Sequence, residues 1–174
     1  NKGLASNDID VRLNFYGALS GEALPAGLGV TITPMSGGQV NPTLTTALAN
    51  LGDMTFDFIA MPYNDAASLN SVKAFLSTTT GRWSWSQGLY GHAYGGFRGT
   101  LGECHTFGAT RNDEHVSIMG FNNSPTPSWI LAADLTAAAA ISCRADPAQP
   151  MQTVALASFL PPPLESRFQL TDRN

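Results

Sequence analysis

The chain has 174 residues, a formal net charge of −4 and a charged fraction of 13%, against about 25% in a typical soluble domain. This length fits one domain with a core of its own, and no apolar run approaches the roughly 20 residues that span a bilayer. The acidic balance, with basic residues scattered singly, argues against a nucleic-acid partner. Composition leaves two classes open: a compact enzyme with a Ser/Thr-rich surface, or a subunit covered largely by copies of itself.

The two cysteines and the chain ends add two expectations. Cys104 and Cys143 each fall in a predicted helix, far apart in sequence, which is typical of reduced thiols in a core and favours a cytosolic folding compartment. The chain starts at Asn1, and residues 170–174 resemble the beginning of a helix. We therefore expect a piece of a longer protein.

The N-terminal part has the period-2 pattern of β-strands. Two stretches alternate apolar with polar or small residues, namely Val11, Leu13 and Phe15 in the first and Leu28, Val30 and Ile32 in the second. Two such stretches around a Gly/Ala/Pro-rich loop predict an antiparallel β-hairpin with a long tip. Residues 1–36 are thus expected to be a hairpin arm that packs on the main domain or extends it.

Strands alternate with helices in the predicted core, residues 37–160. The strands are expected at 56–61, 89–94 and 115–120, with an edge strand at 152–156. This alternation predicts an α/β fold, a mostly parallel sheet with helices on both faces, preceded by the antiparallel hairpin. Residues 161–174 begin with three prolines and are expected to form a stiff linker to a further C-terminal part.

The predicted helices have start signals and apolar faces. Asn41 before Pro42 and Thr126 before Pro127 are typical of an N-cap followed by proline at the first helical position, and Asp65 is a third candidate cap. The expected buried faces are Leu44, Leu48 and Leu51; Leu69, Val72 and Leu76; Phe97, Leu101, Cys104 and Gly108; and, in the last helix, Trp129, Ala132, Ala133, Ala137, Ala140 and Ile141.

The sequence contains no motif that identifies a catalytic residue. No serine lies in the G-x-S-x-G frame of a nucleophile on a strained turn. Asp57 and Asp65 flank one strand, and paired carboxylates can do acid–base work. Asp65 is already explained as an N-cap, and Asp57 as a surface residue at a strand end.

The run Gly95–Gly102 is the alternative that points to an enzyme. It joins a predicted strand to a predicted helix, where backbone amides can bind phosphate, so a small α/β enzyme or nucleotide-binding module is the competing hypothesis. The run lacks the Lys-Ser/Thr of a P-loop and the spacing of a dinucleotide site. A glycine-rich turn that allows close helix–sheet packing explains it as well.

Candidate metal ligands lack the spacing of a metal site. They are His92, Cys104, His105 and the cluster Asp113, Glu114 and His115. None forms a C-x-x-C or H-x-x-x-H pair, so no metal or other cofactor is predicted. Asp113 and Glu114 are interpreted as turn residues before a strand.

Aromatic residues concentrate in one stretch. Trp83, Trp85, Tyr90 and Tyr94 lie within it, and such a patch can bind a sugar or bury a protein contact. Because it has few basic neighbours, nucleic acid is not favoured. Core packing combined with a protein interface is the preferred interpretation, and a sugar-binding module is the alternative.

Six segments, in order along the chain, resemble the tail sheath proteins of Mu-like contractile-tailed bacteriophages. They are Gly21–Gly27, Asp57–Leu69, Thr110–His115, Ser124–Trp129, Ala145–Pro150 with Gln152 and Thr153, and Arg167–Asn174. The resemblance runs from about residue 20 to the end of the chain.

The resemblance implies a structural subunit of the virion and not an enzyme. Members of this family stack as hexameric rings into a helical sheath around the tail tube, attached to a baseplate and assembled in the host bacterial cytoplasm. The sheath contracts to drive the tube through the host envelope without a cofactor. In physical terms, the subunit is a rigid body with bistable interfaces.

Overall fold

The computed structural model describes residues 3–12 and 25–172 of the chain. Within them the regular elements, in chain order, are α1 (Thr45–Ala49), β1 (Phe58–Met61), α2 (Ala66–Phe75), β2 (His92–Arg98), α3 (Leu101–Ala109), β3 (Val116–Phe121) and α4 (Ser128–Ala145), with short 3₁₀ turns at Leu4–Asp8, Leu164–Ser166 and Leu170–Asp172.

The three strands form one parallel sheet in the order β1-β2-β3. Ala93 in β2 lies opposite Ile59 on one side and Val116 on the other. Because each parallel pair is joined through a helix, the predicted α/β fold is confirmed. β2 begins three residues later than predicted, since the Leu89 amide donates to the Arg82 carbonyl at 2.8 Å and belongs to the preceding loop.

Helices cover both faces of the sheet. Ala93 joins a buried cluster with Met61, with Leu69 and Val72 of α2, and with Leu76 directly after that helix. A Cβ on Gly96, three positions along β2 and therefore on the opposite face, would lie 2.8 Å from the Ser128 carbonyl of α4. The predicted face of α2 is confirmed, whereas Phe97 belongs to β2 and stacks on Phe107 of α3 at 4.1 Å.

The buried face of α4 differs from the prediction. The helix buries Ser128, Leu131, Ala132, Thr136 and Ala139, while Ala133, Ala137 and Ile141 are exposed. Alanines occur on every side of this helix, so their spacing does not select one face. Asp134 orients it instead, since its carboxylate accepts the amides of residues 157–159 at 3.3, 2.8 and 3.1 Å.

No strand forms at 152–156, contrary to prediction. Thr153 has a φ of 60°, which an extended strand does not allow. The predicted hairpin is not formed in the described residues either, since 28–32 contain no strand. Leu13 and Phe15 of the first predicted strand lie outside the described residues, so a partner for 28–32 is not described.

One of the three predicted caps is confirmed. The Asp65 carboxylate accepts the Ser68 amide at 3.0 Å and caps α2. Asn41 does not cap α1, which has Leu44 at its N-cap position. The Asn41 side chain instead connects two other segments. Its oxygen accepts from the Ala5 backbone amide at 3.0 Å, and its nitrogen donates to the Asp65 carboxylate at 2.7 Å.

Thr126 does not cap α4 either. Its hydroxyl accepts the Leu160 amide at 3.0 Å, and Pro127 occupies the N-cap position without a side-chain bond. The cap comes from the distant Asp8, whose carboxylate accepts the Ser128 amide at 2.5 Å. A carboxylate here also complements the helix dipole.

Candidate assembly surfaces

The aromatic stretch is divided between core and surface. Trp83 is half-buried, stacks on His115 at 4.0 Å and donates to the Gly91 carbonyl at 2.7 Å. Tyr94 stacks on Phe58 within the sheet. Trp85 is 96% exposed and Tyr90 58% exposed, so these two side chains are the surface that the stretch offers to a partner.

A buried arginine fixes the loop that carries Trp85. Arg82 is 3% exposed; its guanidinium donates to the carbonyls of Gly52, at 2.8 Å, and Met54, and lies over the Phe75 ring at 5.0 Å. Sequence analysis missed this role. The sequence signal for this role was that Arg82 is the only charged residue between Ala74 and Gly91.

Residues 25–37 are a second accessible surface. Every one of them is exposed, including the alternating Leu28, Val30 and Ile32. This exposed segment ends at buried Gly38, whose amide and carbonyl both bond the Asn7 side chain at 2.9 Å. Apolar side chains that alternate along an exposed segment are typical of a strand that pairs with another chain or segment.

The outer side of α4 is a third apolar surface. Ile130, Ala133, Ala137 and Ile141 follow one another at helical spacing and are exposed, Ile141 at 72%. Contiguous apolar patches of this kind mark interaction sites.

Among the helices of residues 3–12 and 25–172, none has the combination of length and apolarity needed to cross a bilayer.

The Gly95–Gly102 turn does not have the geometry of a phosphate site. Gly95 and Gly96 lie within β2, and α3 begins with a capping box. The Thr100 hydroxyl accepts the Glu103 amide at 3.4 Å, and the Glu103 carboxylate accepts the Thr100 amide at 2.7 Å. The Thr100 and Glu103 amides at the start of α3 are therefore already bonded within the chain, and the hydrogen bonds from Thr100 lower the pKa of Glu103.

The acidic cluster before β3 is an ion-pair centre. Asp113 has 4% of its side chain exposed, lies 2.9 Å from Lys73 Nζ and accepts from the Arg111 guanidinium. Burial by itself would raise the Asp113 pKa, but the hydrogen bonds and charges of Lys73 and Arg111 outweigh it and lower the pKa below 3.8. These contacts join α2, the loop after α3 and the start of β3.

The metal candidates lie apart. In the described part of the chain, no three His, Cys, Asp or Glu side chains converge on one point. His92 bonds Ser117 at 2.9 Å, and burial followed by the charge of His115 lowers its pKa. Cys104 and Cys143 are both free and half-buried.

An ionic cluster at the carboxyl end of the sheet was not predicted. Arg98, at the end of β2, lies 3.2 Å from Asp8 and 3.3 Å from Asp10, and donates to the Thr126 carbonyl at 2.8 Å. Arg12 extends the cluster to the Asn123 side chain at 2.6 Å. Local sequence patterns could not reveal these pairs, because their members are far apart in the chain.

Comparison with known proteins shows the family to which the chain belongs. A model of the phage tail sheath protein central domain matches residues 37–174. The chain is also 38% identical over 173 residues to the Mu-like prophage FluMu tail sheath protein of Haemophilus influenzae. This alignment covers 99% of the present chain and 34% of the Haemophilus protein. The chain thus spans about a third of that relative's length. The resemblance in the sequence is confirmed, and the chain belongs to the phage tail sheath protein family, in the region of its central domain.

Proposed function

We propose that this protein is a building block of a contractile tail sheath, in which copies assemble as stacked sixfold rings around the tail tube. The sheath contracts and drives the tube through the host envelope. The observation that carries this proposal is the similarity of nearly the whole chain to a Mu-like prophage tail sheath protein.

The surfaces of the molecule support an assembly role. Exposed apolar side chains occur on the Trp85 loop, on residues 25–37 and along α4, and a chain with 13% charged residues has little charge repulsion to oppose association. The packed α/β core between these surfaces acts as a rigid body, so contraction changes the contacts between copies and leaves each core intact.

Partners and location follow from this role. The partners are further copies of the same protein, the tail tube protein and the baseplate. The proposed role involves no catalytic step, no cofactor and no nucleic acid. The subunit assembles in the host bacterial cytoplasm and becomes part of the virion. Residues 1–36 serve as an arm, 37–160 as the core and 161–174 as a linker towards further sheath sequence.

Electron microscopy tests the proposal. The full-length protein is produced together with a tail tube protein, and we expect regular sleeves around the tubes in extended and shortened forms. Bare tubes beside monomeric protein under all assembly conditions would contradict it.

A further inference from the structure

We propose that Trp85 is the anchor with which one copy of this chain docks into the groove between α1 and α2 of a second copy. The inference rests on the proposed function, which requires contacts between copies, and it names one such contact.

Hydrogen bonds hold the backbone of the loop that carries Trp85. Arg82 holds the start of the loop to residues 52–54. At the tip, the amides of Gln87 and Gly88 donate to the Ser84 carbonyl at 3.1 and 2.9 Å, and Ser84 is 1% exposed. Because the loop backbone is already ordered, binding through this loop costs little backbone conformational entropy, and tryptophan is enriched at interface hot spots.

The chemistry of the tip selects an uncharged partner surface. Between Ala74 and Gly91 the only charged residue is Arg82, which is buried beneath the loop. A tip of serine, tryptophan, glutamine and glycine contributes no charge to attract phosphate or acidic lipid. It matches an apolar groove that contains an acceptor for the indole N–H.

The same chain contains such a groove. It lies between α1 and α2, has a volume of about 490 Å³, and is lined by Thr45, Leu48, Ala49, Asn70, Ser71, Ala74 and Phe75, none of them charged. This volume lies in the range of about 300–1,000 Å³ typical of pockets that enclose an organic group. The Ser71 hydroxyl, which donates to the Ala67 carbonyl at 2.9 Å, retains lone pairs that can accept the indole N–H.

The contact has to form between copies. Trp85 is 96% exposed and therefore does not fill the groove of its own chain. Each copy carries both the anchor and the groove, so one copy can engage two neighbours. Repeated head-to-tail contacts of this kind close into rings or continue as helical assemblies.

Self-association of the chain, followed by sedimentation equilibrium and tryptophan emission, tests the inference. We expect concentration-dependent association with a blue shift, and Trp85→Ser should weaken association by about thirtyfold or more, as hot-spot tryptophans do. Leu164→Ser, which removes a side chain 69% exposed on another surface, is the control and should associate like the wild type. Melting temperatures establish that both variants fold.

Two introduced charges of opposite sign test whether Trp85 binds in the groove between α1 and α2. Ala74→Glu and Trp85→Lys should each prevent association, and the double variant should recover part of it because the new charges attract. A monomeric wild type, an unaffected Trp85→Ser variant or a double variant no better than its parents would overturn the inference. Sleeves formed equally by wild type and Trp85→Ser would reject this contact and leave the proposed function standing, whereas a failure of the wild type to form sleeves would reject that function.

Discussion

At the scale of single residues, carboxylates with little solvent exposure join segments that are distant in sequence. Asp113 connects α2 to the start of β3 through Lys73 and Arg111. Asp8 connects the N-terminal 3₁₀ turn to α4 and to Arg98. Residue types and local spacing predicted turn residues at Asp113 and did not predict the partners.

Asp113→Asn should lower the free energy of unfolding by about 1–3 kcal/mol at neutral pH, because two cations lose a buried carboxylate. The folded-state pKa of Asp113 lies below its ordinary value of 3.8. Its stabilisation is therefore fully present above pH 3.8 and is lost as the pH falls through the folded-state pKa. Urea unfolding at a series of pH values measures this difference, which should shrink in acid. A difference independent of pH would contradict the ion-pair assignment.

Asp8→Ala should destabilise the protein by about 1–2 kcal/mol, the usual effect of losing an N-cap, because the Ser128 amide and Arg98 both lose their partner. Thermal unfolding measures the effect. Asp53→Ala, which removes an exposed acid elsewhere, is the control and should change stability little. Equal melting temperatures for the two variants would show that Asp8 does not cap α4.

At the scale of elements, Gly96 is the glycine of the Gly95–Gly102 run that allows close helix–sheet packing. A Cβ on Gly96 would lie 2.8 Å from the Ser128 carbonyl and 3.2 Å from Leu131 of α4, whereas one on Gly102 would meet nothing within 4 Å. The packing interpretation of this run is therefore supported at Gly96, where the backbones of β2 and α4 come close together.

Two glycine-to-alanine substitutions distinguish the effect of close packing on stability from the effect of helix propensity. Gly96→Ala should destabilise the protein, by about 1–3 kcal/mol, because α4 has to move away from the sheet. Gly102→Ala lies within α3 and should stabilise by up to about 1 kcal/mol, since alanine is the better helix former. Chemical denaturation of both variants gives the two values. A Gly96→Ala protein as stable as the wild type would mean that α4 packs less closely than described.

At the scale of the whole molecule, a packed core carries exposed segments that differ in how firmly they are held. Residues 25–37 form no strand in the described structure, and their apolar side chains are exposed. The Trp85 loop is equally accessible, but Arg82 fastens it to the core.

Limited chymotrypsin digestion should distinguish these two segments. In the isolated chain we expect early cleavage after Leu28 or Met35, because an exposed segment outside helices and strands enters a protease site without local unfolding. Cleavage after Trp85 or Tyr90 should be slower, and it serves as the internal control. Mass spectrometry of the fragments identifies the sites. Faster cleavage at Trp85 than at Leu28 would show that the aromatic loop is not held in place.

The sequence by itself determined the family, the alternation of strands and helices, the Asp65 cap and the buried face of α2. The family follows from segments of matching sequence, and the other three follow from the spacing of residues that are close together in the chain. Only the tertiary structure decided the α4 face, the α4 cap supplied from a distance and the division of the aromatic stretch. In each case the deciding partner lies elsewhere in the chain: Asp134 binds the amides of residues 157–159, Asp8 binds the Ser128 amide, and Arg82 holds the Trp85 loop against residues 52–54. Periodicity reports how a side chain relates to its own helix or strand, and it contains no information about the long-range contact that orients that element in the fold.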